Sequence, residues 1–408
     1  MRGWRHRARW AGIGTVTAVM LAAAGTAAFV RQTVADGRDL TVHEWGTFTS
    51  LAALDGTAQP WTPFASPLEL PCFVWMIRDN PKIELLDPEA QAPTLATLHA
   101  TVRMETPVMY FYSPRATTVD VGVSFPHGLI TEWYPDAVVS PLATPSTLSL
   151  TSTINWNGVR VQASTSGNFP VEPGGNHYYA ARQTDANAVQ AANGAETEKF
   201  LFYRGLADIP VPLQVRVVDD GGVTWSATAS TRAPQHLVLF ENRGGRLGYR
   251  RVDAPFRTQT IPRPELTASF DSLRAELTRL LTDEGLFPRE AAAMVETWRD
   301  SWFEEGTRLF YVMPQDAVDA VLPMSIWPEP AHRVRVFVGR IEVVTPEVQL
   351  DVERAFAAND LGTLAKYARF LEPIAARIMP NASSGLNPAR LKAVQAALAA
   401  AHKVPSCR

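Results

Sequence analysis

Histidine and carboxylate are the side chains in this sequence that could bind a metal ion or move a proton. Five of the eight histidines, His43, His99, His127, His177 and His236, fall where the pattern reads as β structure. Neutral imidazole is a common ligand of divalent metals, and five are enough for a site. None stands in a His-x-His or other local chelating pair, so folding would have to assemble the centre. The candidate set is His43, His127 and His177 with Glu44 or Glu132, serving a metal-dependent hydrolase or oxidoreductase. A divalent metal is the cofactor this set would take, and no other is signalled.

His43 and Glu44 are adjacent, which weakens them as a ligand pair. Neighbours along a strand point to opposite faces, so the two could share an ion only at a bulge or a strand end. Across residues 41–49, His43, Trp45 and Thr47 share one face, while Val42, Glu44, Gly46 and Phe48 share the other. A Glu44 buried among those apolar neighbours needs an arginine or a metal beside it. The alternative is an edge strand with Glu44 at a solvated rim.

Two turns gather further candidates. Pro126-His127-Gly128 is followed by Glu132, Trp133 and Tyr134, and Gly174-Gly175-Asn176-His177 precedes Tyr178, Tyr179 and Arg182. Turns that collect His, Glu, Arg and aromatic groups can form a ligand pocket at the end of a β scaffold, although loop histidines are commonly just solvated. Glu105 and Glu132 could act as general acid and base on a glycan if they lie roughly 5 to 10 Å apart. Arg182 completes the catalytic candidates. No Gly-x-x-x-x-Gly-Lys loop, Gly-x-Ser-x-Gly elbow or His-Glu-x-x-His helix occurs, so those phosphate, hydrolase and zincin chemistries lack their usual support.

The elements that must position these residues change character along the chain. Residues 40–262 alternate with a period of two and read as a β-rich domain, an antiparallel sandwich or barrel. Asn157-Gly158, between Leu148-Leu150-Ile154-Trp156 and Val159-Val161, predicts a hairpin. Asp219-Asp220-Gly221-Gly222 and Arg243-Gly244-Gly245 predict two more. From Pro264 the period becomes helical, with an apolar stripe at Leu266, Phe270, Leu273, Leu277 and Leu281.

Pro288 opens a second helix, in which Trp298 and Trp302 read as a core stripe and Arg299, Glu304, Glu305 and Arg308 as its charged reverse face. Residues 263–408 thus form an α-rich C-terminal region, with strands expected near 308–313 and 334–344. Thr345-Pro346, Asp360 and Asn387-Pro388 are helix starts, and Pro373 should kink or break the middle helix. The fold class is α+β.

Composition narrows the address and the partners. The chain has 408 residues, 46% of them hydrophobic, enough for a sizeable core. Lys and Arg (38) nearly balance Asp and Glu (41), so there is no electrostatic footprint for nucleic acid. Arg2, Arg5, Arg7 and Arg9 precede an uncharged run over 11–30. That order marks residues 1–35 as a membrane anchor or signal segment, with the arginines left on the cytoplasmic side.

The run is long enough, at about 1.5 Å per residue, to cross a bilayer core. The expected location is the inner membrane with the folded part periplasmic, or secretion if the segment is cleaved. Cys72 and Cys407 are the two cysteines, which could pair in an oxidising compartment or stay free. Together these features predict an exported, membrane-anchored envelope protein with a ligand-binding role, toward a glycan or an envelope protein, or a role in assembly. The competing class is the metal-dependent enzyme. A row of exposed aromatics would favour the first, and convergence of the histidines the second.

Overall fold

The computed structural model describes residues 39–64, 70–77, 98–141, 148, 150–218, 221–228, 232–253, 257–381 and 385–401. Contacts divide the chain into residues 1–34 and residues 35–408, and the fold below belongs to the second unit. The expected membrane segment lies outside the described residues. Among the described residues no helix is long and apolar enough to cross a membrane.

The first half is all strand: β1 (Thr41–Ala52), β2 (Ala58–Gln59), β3 (Trp75–Met76), β4 (Val102–Tyr112), β5 (Thr117–Pro126), β6 (Gly128–Tyr134), β7 (Val138–Ser140) and β8 (Thr151–Val161). A 3-10 helix, His177–Arg182, precedes β9 (Val189–Gln190), β10 (Thr197–Glu198), β11 (Leu201–Ala207), β12 (Leu213–Val217) and β13 (Val223–Ala227). Then come β14 (His236–Arg243), β15 (Arg246–Asp253) and β16 (Thr258–Ile261). The remainder is mixed: α1 (Phe270–Asp283), α2 (Pro288–Thr297), α3 (Arg299–Trp302), β17 (Gly306–Met313), α4 (Gln315–Val321), β18 (Met324–Trp327) and β19 (His332–Val343). Four helices close the described chain: α5 (Pro346–Ala358), α6 (Leu361–Lys366), α7 (Leu371–Ile378) and α8 (Pro388–Ala401).

Most strands join one large sheet in the order β15-β14-β17-β19-β1-β4-β11-β6-β3, with β2 beside β1. A second sheet, β10-β9-β8-β5-β18 with β7, and a third, β12-β13-β16, face it. One side of the large sheet meets these smaller sheets across a core containing Val42, Phe48, Val121, Ile154, Trp156 and Trp225. Its other side is covered by helices. Leu273, Leu277, Met294, Trp298 and Trp302 pack there with Trp45, Tyr110 and Phe310, and α5 to α8 pack around Leu51, Trp61, Phe356 and Phe370.

The molecule is therefore α+β and sandwich-like, with helices on the outer face of one sheet. Three features depart from the sequence pattern. First, β1 and β19 pair in parallel, from Thr41 opposite His332 to Leu51 opposite Glu342. Parallel neighbours need a long crossover, and almost the whole fold lies between these two strands.

Second, β17 and β19 enter the large sheet between β14 and β1, so residues 40–262 and 263–408 contribute to one sheet. Third, Asn157-Gly158 is a bulge inside β8. Val121 pairs with Trp156 and Val119 with Val159, the register slipping between them. Gly158 has φ +68°, and its N–H donates to Asp120 Oδ1 at 2.6 Å. A glycine in that region can absorb an extra residue within a strand as readily as it can close a two-residue turn. Trp156 and Val159 remain buried together, as the alternation requires.

Local signals elsewhere match the elements formed. Arg243 pairs with Arg246 across Gly244-Gly245, and both glycines have positive φ, as a tight hairpin turn demands. Ser269 caps α1, Thr345 caps α5 and Asp360 caps α6 through side-chain acceptors. Pro373 lies in the first turn of α7, where its missing N–H costs nothing. Gly339 has a different reason: a Cβ there would lie 1.9 Å from Tyr311 Cζ, so the cross-strand ring occupies the space a side chain would need.

Candidate functional site

On the helix-covered face of the large sheet, polar and charged residues interrupt the apolar surface in successive rows. Thr47 on β1 stands beside Glu105 on β4. In the next row Thr49 lies between Arg103 and Arg340, and in the next Glu342 on β19 stands beside Arg308 on β17. Alternation along the strands puts all of them on one face. The rows lie between the aromatic cluster under α1 to α3 and the cluster under α5 to α8. They form a polar seam where two helical covers meet.

A bulge shapes the upper end of the seam. Register shifts between Trp45 and Thr47, leaving an extra residue in β4 opposite Gly46. Thr106 takes up the difference with φ +48°, a strained conformation for a β-branched residue. Arg204 Nε and Nη2 donate to Thr106 Oγ1 at 3.2 and 3.0 Å, holding it there. Glu132 on β6 stands directly opposite Arg204.

From the covers, Ser301, Glu304 and Arg369 reach down to the seam. Arg340 donates to Glu342, to Ser301 Oγ at 2.6 Å and to Glu304 Oε1 at 2.7 Å. Arg369 donates to the same Glu304 oxygen at 2.6 Å and lies 3.5 Å from Glu105. Arg308 donates to Glu342 at 2.7 Å and approaches Glu304 Oε1 at 3.4 Å. Burial alone would raise the Glu304 carboxyl, but Arg369, Arg308 and Arg340 outweigh it and bring it down to about 2. Glu105 is likewise lowered: burial pushes it up, and Arg103, Arg369, Arg340 and Arg204 pull it further down.

Arg103, Arg204, Arg308, Arg340 and Arg369 thus face Glu105, Glu132, Glu304 and Glu342, one guanidinium more than there are carboxylates. Two buried acceptors on this face, Thr47 Oγ1 and Glu132 Oε1, have no hydrogen-bond partner among the described residues. Buried polar atoms are usually satisfied, so each orphan marks a place where water or a ligand group belongs.

The seam opens at Glu304, whose side chain is 34% exposed. There it borders a wide groove of about 500 Å3 that Asn242, Phe270, Arg299, Phe303 and Glu304 help to line. The Phe270 and Phe303 rings meet edge to face at 5.2 Å, and the Arg299 guanidinium lies 4.8 Å from the Phe270 centroid. Asn242 donates to Phe303 O at 2.8 Å and leaves its buried Oδ1 without a partner. A volume of this size suits a small ligand.

The residues singled out from the sequence are dispersed. His43 lies on the helical face with Nδ1 2.7 Å from Glu290 Oε2; Glu290 also accepts from Tyr112 OH and from the Phe287 N–H. Glu44 lies on the opposite face, bonded to Arg335 and Tyr203. His127 sits exposed in the turn between β5 and β6, which belong to different sheets, with φ +53°, and His177 lies on the surface 3.2 Å from Asp300.

Among the described residues no three His, Cys, Asp or Glu groups gather to hold a metal ion. His43, Glu44, His127 and His177 therefore do not form the cluster their chemistry suggested. The cause is strand alternation for the first pair and separate surface turns for the others. Arg182 is clamped by Glu198 through Nε at 2.8 Å and Nη2 at 2.6 Å, with Tyr179 and Phe169 rings at 4.7 and 5.4 Å. Both of its engaged nitrogens thus serve the Glu198 carboxylate and the Pro170 carbonyl.

Glu105 and Glu132 do reach one face, in the seam, with Arg204 in the strand between them. Arg340, Glu342 and Arg369 also belong to the seam without any local catalytic motif to mark them, and Glu304 and Arg308, expected on the charged outer face of a helix, turn into it. The signal for the strand pair is that Arg340 and Glu342 stand two apart inside an apolar strand, which forces both charges into the interior. An α+β sandwich with a cationic seam under paired helical covers is the class that fold and site define. No known protein family matches the chain, and comparison with curated proteins gives no match either.

Proposed function

We propose that this is an exported envelope protein, held at the inner membrane by residues 11–30, that binds a small sugar-like ligand in the groove beside Glu304. The observation that carries the binding role is the groove of about 500 Å3, in which the partly exposed Phe270 ring, backed by the buried Phe303, lies beside Asn242 and the rim of the arginine seam. Aromatic faces with planar polar side chains suit the alternating apolar and hydroxyl surfaces of a sugar ring. Export draws support from the basic and then uncharged N-terminal sequence. Cys72 is disulfide-bonded, which fits an oxidising compartment. The second cysteine, Cys407, lies outside the described residues.

The ligand is short. Phe287 and Trp327 are the large aromatics exposed among the described residues, and they sit on different elements, so there is no aromatic row on which a long glycan could lie. Thermal-shift screening of the full-length protein against mono- and disaccharides and sugar acids tests the proposal. At least one should raise the melting temperature, and Phe270→Ala with Asn242→Ala should abolish the shift. A shift unchanged in the double variant would move the ligand out of this groove.

A further inference from the structure

Glu304 is held unusually for a rim carboxylate. Arg340 Nη2, Arg369 Nη2 and, at longer range, Arg308 Nη2 all converge on its Oε1, while Oε2 has no partner among the described residues and the side chain is partly open to the groove. The arginines are placed by other contacts. Arg340 and Arg308 share Glu342 at the floor of the seam, Arg340 also binds Ser301, and Arg369 leans on Glu105. Were the Glu304 side chain to leave, Arg340 and Arg369 would each keep a carboxylate but lose the partner facing the groove. An anion arriving from the groove would restore the charge balance.

We propose that the Glu304 carboxylate stands in for the carboxylate of an acidic ligand. A sugar acid of the hexuronate class, seated in the groove, would displace the Glu304 side chain into solvent and present its own carboxylate to Arg340 and Arg369. This rests on the sugar-like ligand assigned to the groove and adds the charged group that the ligand carries. Exchange of one carboxylate for another leaves the net charge of the buried seam unchanged, so the step avoids burying a new unpaired charge. Guanidinium suits the exchange because its planar fork can engage both oxygens of an incoming carboxylate. Glu304 follows the end of α3 at Trp302 and precedes β17, so its side chain can swing without unwinding either element.

Calorimetric titration of the full-length protein with glucuronate, glucuronate methyl ester and glucose separates the possibilities. Wild-type protein should bind the acid more tightly than the ester, because only the acid can engage the two arginines. Glu304→Gln removes the internal competitor and should tighten acid binding by up to about fivefold, with the ester little changed. Arg369→Gln should cancel that gain. Equal binding of acid, ester and glucose by wild type and by Glu304→Gln overturns the proposal but leaves the groove as a neutral sugar site. No binding of any of the three removes both. Should Glu304→Gln not fold, the acid-to-ester ratio in wild type decides the matter alone.

Discussion

The two faces of the large sheet bury the same chemistry and treat it differently. On the sandwich face Arg335 Nε donates to Glu44 Oε2 and Tyr203 OH to Glu44 Oε1, both at 2.6 Å, and Arg335 Nη1 binds Asp319 and the Leu322 carbonyl. Side-chain exposure of Arg335 and Glu44 is 0% and 1%. Burial, and then the negative Glu44, raise the Tyr203 phenol well above its usual value, so it remains a donor. On the helical face the arginine seam reaches the surface at Glu304. The Arg335–Glu44 pair is itself closed to water and reaches the surface through Asp319 on Arg335 Nη1, 38% exposed, with one arginine to two carboxylates. On the helical face one rim carboxylate, Glu304, holds three arginines, so its departure leaves a site for another anion.

The comparison breaks first at Arg335. Arg335→Met leaves Glu44 charged, buried and served by Tyr203 alone, and removing one member of a buried pair costs about 3 to 5 kcal/mol. Urea unfolding should show that loss, and the double variant Glu44→Gln with Arg335→Met should recover most of it. A loss below about 1 kcal/mol would place the pair with surface ion pairs and erase the distinction between the faces.

A smaller effect distinguishes two neighbours within the seam. Thr49 donates to Glu105 Oε2 at 2.9 Å, so Thr49→Val removes a hydrogen bond to a buried carboxylate and should cost about 1.5 to 3 kcal/mol. Thr47, two residues away on the same face, has an orphan hydroxyl. Thr47→Val should cost less than Thr49→Val, since no protein partner is lost. Equal losses in the two variants, measured by denaturant midpoints, would show that Thr47 has a partner after all.

How much of this was legible in the sequence depends on what each residue answers to. Alternation placed His43 and Glu44 on opposite faces, and the cost of burying a carboxylate called for an arginine or a metal beside Glu44. Which arginine depended on β19 returning 291 residues later to lie parallel to β1, and no local pattern carries that. Asn157-Gly158 announced a positive φ but not whether the chain would turn back or merely bulge, since only the strand beside it decides. The sequence carries the second helix up to Gly306, yet the helix ends at Trp302, and Gly306, with φ +134°, starts a strand that turns Arg308 inward. The seam was hidden because its charges come from β4, β17, β19, the end of α3 and the segment before α7, each unremarkable alone.

The smallest effect lies at the open edge and depends on pH. The Glu304 carboxyl sits at about 2 in the folded protein against an ordinary 4.5, so between those values the unfolded chain binds more protons than the folded one. Stability from this group is therefore fully present above about pH 4.5 and is lost as pH falls through about 2. Solvent at the rim screens the attraction, which holds the contribution to about 1 kcal/mol or less.

Urea midpoints of wild type and Glu304→Gln should thus lie furthest apart near neutral pH and converge toward pH 2. Wild type should lose more of its stability across that window than the variant does. Parallel curves would mean that Glu304 is not gripped by Arg340 and Arg369 in solution. The helical face would then lack the carboxylate-for-carboxylate exchange that sets it apart from the Arg335–Glu44 pair.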